Sequence, residues 1–160
     1  MAKVAIPRVT AVLLIGAAVA CVLLGRETCT KTESILHESS WSCNGIIKAA
    51  QWDDVDGLGW QYAVTIGSLA IGSYFLIFGV LDCCGRRTGK IELGLSLVAT
   101  LGLAVCAGLE FYYGIFFYDT NAAGVASSRT LVQTWIAAGV LYALAAMTGL
   151  SDSLAVLRGY

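Results

Sequence analysis

The sequence predicts an all-α fold, an integral-membrane bundle of four transmembrane helices with a larger first extracytoplasmic loop. Three observations predict it. Hydrophobic residues make up 58% of the 160-residue chain and charged residues 13%, against about 25% charged in an ordinary soluble domain. Mean hydropathy is +0.75. The apolar residues gather into four continuous stretches, each near the roughly 20 residues that cross a hydrocarbon core of about 30 Å. Continuous apolarity favours helices over barrel strands, which would alternate over about 10 residues. The composition also excludes several classes. Ten basic against eleven acidic residues do not make a nucleic-acid binder, and so apolar a chain is not a disordered one.

The four spans are read in order. The first covers about 9–24, with Pro7 just ahead of it, a position where a missing N–H costs a helix little. The second covers about 61–81 and is bounded by Asp82. The third, about 92–117, is the longest and has length to tilt. The fourth, about 131–150, loses its apolar character at Ser151, Asp152 and Ser153. Lysine and arginine set the orientation. Lys3, Arg8, Arg86, Arg87, Lys90 and Arg158 fall on the side with short connections, whereas Arg26, Lys31, Lys48 and Arg129 are spread through longer ones. The positive-inside rule therefore places both termini in the cytoplasm. The run Phe111, Tyr112, Tyr113, Phe116, Phe117, Tyr118 then falls at the outer end of span three, the depth where amphipathic rings settle. A second reading of the N-terminus competes with a retained helix: Lys3 and Arg8, an apolar run and Ala18-Val19-Ala20 also suit a cleaved signal peptide.

The connection over about 26–60 is the largest polar stretch. It carries Cys29 and Cys43, fourteen positions apart on the expected oxidising side. A disulfide between them would close a loop worth about 3 kcal/mol through chain entropy; two free thiols are the alternative. The spacing does not match zinc-ligand pairs, and His37 is the chain's single histidine, so no metal site is expected. Trp41, Trp52 and Trp60 lie in the same stretch, among Asp53, Asp54 and Asp56. Trp60 reads as an interfacial anchor of span two. Trp41 and Trp52 are candidate partner contacts or caps of the bundle top. Asn44 and Asn121 are not followed by sequon residues, so N-glycosylation is not expected.

Within the spans, Glu110 is read as the only ionisable residue well inside, and such a residue is a functional suspect by default. It could be the site of a small ion or proton transporter. It could instead be held by Thr65, Gln133, Thr134 or Arg129, or reach headgroup water. Small residues recur at helical spacing in Gly16/Ala20, Ser68/Gly72, Ala104/Gly108, Gly139/Ala143 and Ala145/Gly149. These pairs serve helix packing within the bundle or lateral association. Cys83 and Cys84 precede Gly85-Arg86-Arg87 and are candidate S-acylation sites; Cys21 and Cys106 read as small core residues. Walker-type, HExxH and GxSxG patterns are absent, so no catalytic residue, no cofactor and no enzyme activity are expected.

Four spans with both ends inside, a larger first outer loop and a tight basic inner turn resemble the small tetraspan families. The layout resembles MARVEL-like proteins of membrane apposition and vesicle traffic, and the claudin-like group of junction proteins and channel auxiliary subunits. Trp41 beside Cys43, and Gly57-Leu58-Gly59-Trp60, are similar to the claudin pattern of a Trp, a Gly-Leu-Trp and two close cysteines, with Cys29 ahead of the tryptophan instead of after it. The claudin resemblance implies a sheet in the outer loop. Both resemblances imply a non-catalytic structural or accessory subunit of a membrane assembly, such as a cell junction. Its expected partners are the lipid bilayer, other membrane proteins and further copies of the chain, with no nucleic acid. The expected location is the plasma membrane or a secretory-pathway membrane.

Overall fold

A computed structural model describes the backbone of residues 2–24, 28–33, 39–45, 59–84, 90–115, 118–122 and 126–158, and the side chains of residues 6–24, 59–84, 91–115 and 132–158. Four helices form the bundle: α1 (Ala2–Leu24), α2 (Trp60–Cys83), α3 (Lys90–Ile115) and α4 (Gln133–Leu157). All four are long and apolar enough to cross a membrane, so the fold is the multi-pass helical bundle the sequence predicts. At one end the helices exceed the apolar stretches; at the other, α3 stops at Ile115 and α4 starts at Gln133, two residues inside the bounds read from the sequence. α1 starts ahead of Pro7, which lies inside it, and α4 runs through Asp152 to Leu157. Charged residues end a hydropathy window but not a helix, whose backbone bonds continue wherever the side chain finds a partner.

α4 packs most extensively on α3 and α1, α1 packs on α2, and α2 meets α3 less extensively than these neighbours meet. Neighbours run antiparallel. Gly79 of α2 lies opposite the stem of Arg8, and Gly72 opposite Ile15. Across the α3–α4 seam, Gly139 lies against Phe111, Gly114 against Ile136 and Gly149 against Thr100. The core is Ile15, Val22, Val64, Phe75, Leu103, Trp135 and Tyr142, with alanines 11, 18, 138 and 145 between them. Most of the large residues turned outward, among them Leu13, Ile66, Leu76, Val98, Leu101 and Met147, are aliphatic or thioether side chains suited to lipid, with Trp60 and Tyr112 as aromatic exceptions.

The structure separates the small-residue pairs by use. Gly72 and Gly149 sit at close helix contacts and Ala145 is fully buried. Gly16, Ala20, Ala104 and Gly108 are turned to the outside of the bundle, and a Cβ on Gly16 or Gly108 would meet nothing within 4 Å.

In addition to the helices, the two connections at the far end contribute strands: β1 (Thr28–Glu33), β2 (Ser39–Gly45), β3 (Tyr118–Ala122) and β4 (Ala126–Val132). They form one antiparallel sheet in the order β2-β1-β4-β3. The central pair β1–β4 joins the first long connection to the second, with Thr30 opposite Thr130. Alternating threonines at 28, 30 and 32 supply β-branched residues for this strand. β4 runs into α4 without a break, since Val132 ends one and Gln133 begins the other, so the sheet is anchored directly on the bundle.

The packing gives a paired test. A Cβ at Gly149 would stand 2.6 Å from Thr100 Oγ1 and 3.2 Å from the Phe75 ring, so Gly149→Ala should destabilise the protein by about 1–3 kcal/mol. Gly108→Ala, with open space around it, should leave stability unchanged or slightly raised. Thermal unfolding of the two variants in detergent, followed by circular dichroism, measures the contrast.

Candidate functional site

Two polar sites interrupt the apolar interior, one near each end of the bundle. The first is built on Arg8. Glu110 is thus not alone as a buried ionisable group: Arg8, Glu92 and Asp152 are buried too, at 1%, 4% and 0% exposure. The reading of Arg8 as a loop charge, and of Asp82 and Asp152 as mere span ends, is corrected accordingly. Arg8 Nε donates to Asp152 Oδ1 at 2.8 Å and Nη2 to Oδ2 at 3.2 Å, a two-pronged contact. Nη1 donates to Asp82 Oδ2 at 2.6 Å, and Nη2 also donates to Glu92 Oε1. One guanidinium thereby ties all four helices together. Its planar fork of donors suits this role better than an ammonium would.

A second tier of hydroxyls holds the acids. Ser96 Oγ donates to Asp152 Oδ2 at 3.0 Å and lies 2.8 Å from the Ser153 hydroxyl. Tyr74 Oη donates to the Glu92 carbonyl oxygen at 3.3 Å. Ser96 follows Glu92 by four residues on α3, so one helix face presents both. With all three acids ionised the cluster carries a formal charge of −2. Asp82, the most accessible of the three at 15%, lies at the end of the bundle where Lys3, Arg86, Arg87, Lys90 and Arg158 concentrate in the sequence.

The second site lies toward the sheet. Glu110 of α3 is fully buried, and so is Gln61 of α2. Gln61 faces the carboxyl group without closing a hydrogen bond of normal length. Thr65, one turn along α2, also presents a buried hydroxyl oxygen with no partner. One turn further, Ser68 accepts a bond from Tyr142 Oη at 2.9 Å. Trp135 Nε1 donates to the Val22 carbonyl oxygen at 3.1 Å, fastening the start of α4 to the end of α1.

The residues singled out in the sequence distribute as follows. Glu110 is joined by Gln61, which sequence reasoning missed, and Thr65 lies one turn beyond Gln61 on α2. Gln133 is exposed on the first turn of α4. Arg129 is on β4, where its backbone pairs with Lys31 of β1 and Asp119 of β3. Its side chain, like those of Cys29, Cys43 and Trp41, is outside the described residues, as are Trp52 and His37 altogether. At backbone level Cys29 and Cys43 are direct partners across β1 and β2, and Trp41 stands opposite Lys31. Cys83 and Cys84 are exposed at the end of α2, while Cys106 is buried and Cys21 half-buried. Cys83 and Cys84 line one end of an apolar cleft of about 260 Å³ between α1 and α2, shared with Val9, Leu13, Phe75 and Leu76. Trp60 opens α2 with 65% exposure. The inner cluster left one signal in the sequence: Asp82, Glu92 and Asp152 are acids on the flank where the basic residues gather.

No family model, no curated protein and no solved structure matches this chain.

The Arg8 cluster yields a charge-balance test. Arg8→Met leaves two buried carboxylates and the partly buried Asp82 without their cation and should cost about 3–5 kcal/mol, as removal of one partner of a buried ion pair does. Adding Asp82→Asn, Glu92→Gln and Asp152→Asn should restore a large part of that loss. The folded fraction recovered from membranes by size-exclusion chromatography, with thermal midpoints, measures both steps.

Proposed function

We propose that the chain is a non-catalytic structural subunit of a membrane assembly, of the junction, vesicle or channel-accessory kind, which presents its sheet to partners. In this reading both termini are cytoplasmic, and the sheet lies on the extracytoplasmic face of the plasma membrane or a secretory-pathway membrane. Lys3, Arg86, Arg87, Lys90 and Arg158 support that orientation even with Arg8 withdrawn into the bundle.

The observation that carries the reading is the sheet. It takes strands from both connections, which supports a claudin-like over a MARVEL-like form. Among the described residues its outer strands, β2 and β3, have a strand partner on one side only, and an open edge is a ready template for pairing with another chain. β2 carries Trp41 at its centre, a residue type favoured as an interface anchor. The outward-facing Gly16/Ala20 and Ala104/Gly108 pairs support close lateral helix contact with other membrane proteins or further copies. Phe75, Leu103 and Tyr142, all fully buried, fill the interior between the two polar sites, and this apolar fill favours a structural role over ion conduction.

The sheet also bears on the thiols. Facing residues of antiparallel strands have Cα atoms about 4.5–5.5 Å apart, inside the roughly 4.4–6.8 Å that disulfide geometry needs. The Cys29–Cys43 register supports a bridge that pins β1 to β2. Cys83 and Cys84, exposed beside a basic turn, are the proposed acylation sites.

Two experiments test the proposal. A photo-crosslinker placed at Ser40 or Ser42 on β2 in native membranes should give discrete, saturable protein adducts. Adducts only with lipid, or a diffuse smear equal to that from the lipid-facing Leu101, would contradict it. Intact mass of the non-reduced protein should be lower by two hydrogens, with the loss mapped to the peptides bearing Cys29 and Cys43. Reduction should then lower stability by about 3 kcal/mol; unmodified Cys29 after alkylation without reductant would count against the bridge.

A further inference from the structure

We propose that Gln61, Thr65 and Glu110 form a binding site for one monovalent alkali-type cation, of which sodium is the test species. Five buried polar atoms of these side chains lack a hydrogen-bond partner: Oε1 and Nε2 of Gln61, Oγ1 of Thr65 and both carboxylate oxygens of Glu110. Gln61 and Glu110 are each 0% exposed. Gln61 faces Glu110 and Thr65 follows Gln61 by one turn of α2. Leaving these polar atoms unmatched is costly, because each forfeits its contacts with water. A ligand that accepts several oxygen lone pairs at once removes most of that cost.

The chemistry of the site selects the ligand. Four of the five atoms are oxygens, from a carboxylate, an amide carbonyl and a hydroxyl, the donor types hard cations take. The single carboxylate brings one negative charge, which a monovalent ion neutralises and a divalent ion would overcompensate. Among the described residues no cation faces Glu110. The groups that bear on it are Gln61 from α2, Tyr142 from α4, and Cys106 and Tyr113 from its own helix. Arg8 is engaged by three acids near the other end, eighteen residues of α3 away at Glu92, or about 27 Å of helix rise.

Such an ion would join α2 to α3, the neighbouring pair with the sparsest contact in the bundle. The site would thereby do at the sheet end what Arg8 does at the other. The inference concerns binding and is independent of which partner the sheet engages.

The test is equilibrium binding of radioactive sodium to the purified full-length protein in lipid nanodiscs, with choline as the replacement cation. The wild type should bind one sodium ion per chain, saturably. Glu110→Gln, checked for native helicity, should abolish binding, and Thr65→Val or Gln61→Leu should weaken it by about tenfold or more, as loss of a contact to a charged group does. Absence of saturable binding by the wild type overturns the proposal. So does full binding by Glu110→Gln or, if that variant fails to fold, unchanged affinity in both Thr65→Val and Gln61→Leu. Reaction of Glu110 with an apolar carbodiimide at a rate indifferent to sodium would also overturn it, because the carboxyl would then hold a proton in place of the ion.

Discussion

A single guanidinium buried among three carboxylates is the constraint on which this architecture depends. In a membrane the apolar faces of helices gain little by touching one another, since lipid chains are equally apolar. Packing alone therefore leaves helix register weakly fixed. Arg8 removes that freedom, because its donors reach Asp152 of α4, Asp82 of α2 and Glu92 of α3 from one position on α1. Sliding any helix by one turn breaks a charge-assisted contact and strands an ion in a poorly hydrated interior. The starts of α1 and α3 and the ends of α2 and α4 are consequently held at one end, and the strands at the other.

From that fixed end the rest of the packing follows. Small residues on α2 and α4 let the helices approach where Gly72 meets Ile15 and Gly149 meets Thr100. Trp135 and Tyr142 then spend their polar atoms on Val22 and Ser68, so the large aromatics of α4 are both filler and cross-tie. The bundle top delivers residue 132 of β4 directly into α4, and β1 follows α1 closely. The sheet is thus built on the two connections and tied to the bundle through β4 and α4.

The amino-acid sequence made the helices legible because apolar runs of spanning length have no other use in so uncharged a chain. It made the inner cluster nearly invisible for the same reason. Arg8, Asp82, Glu92 and Asp152 each lie at the rim of an apolar run, and a hydropathy reading treats rim charges as the start of water. Their meeting depends on four helix ends coinciding in space, which a linear pattern does not encode. Glu110 was conspicuous, but its neighbour Gln61 stood at the polar edge of span two. A sheet in the first outer loop was implied only by the claudin resemblance; for a different reason, the residue pattern did not show it. Its strands are threonine- and serine-rich, without the apolar–polar alternation that marks a half-buried strand, and its central pairing joins segments about a hundred residues apart.

The most direct measurement of the central claim is a magic-angle-spinning NMR contact experiment on the protein in bilayers, between the guanidinium nitrogens of Arg8 and side-chain carboxyl carbons. The structure requires cross-peaks from Arg8 to the carboxyl carbons of Asp82, Glu92 and Asp152 in the same sample. Arg8 nitrogens in contact only with water or lipid phosphate would contradict it.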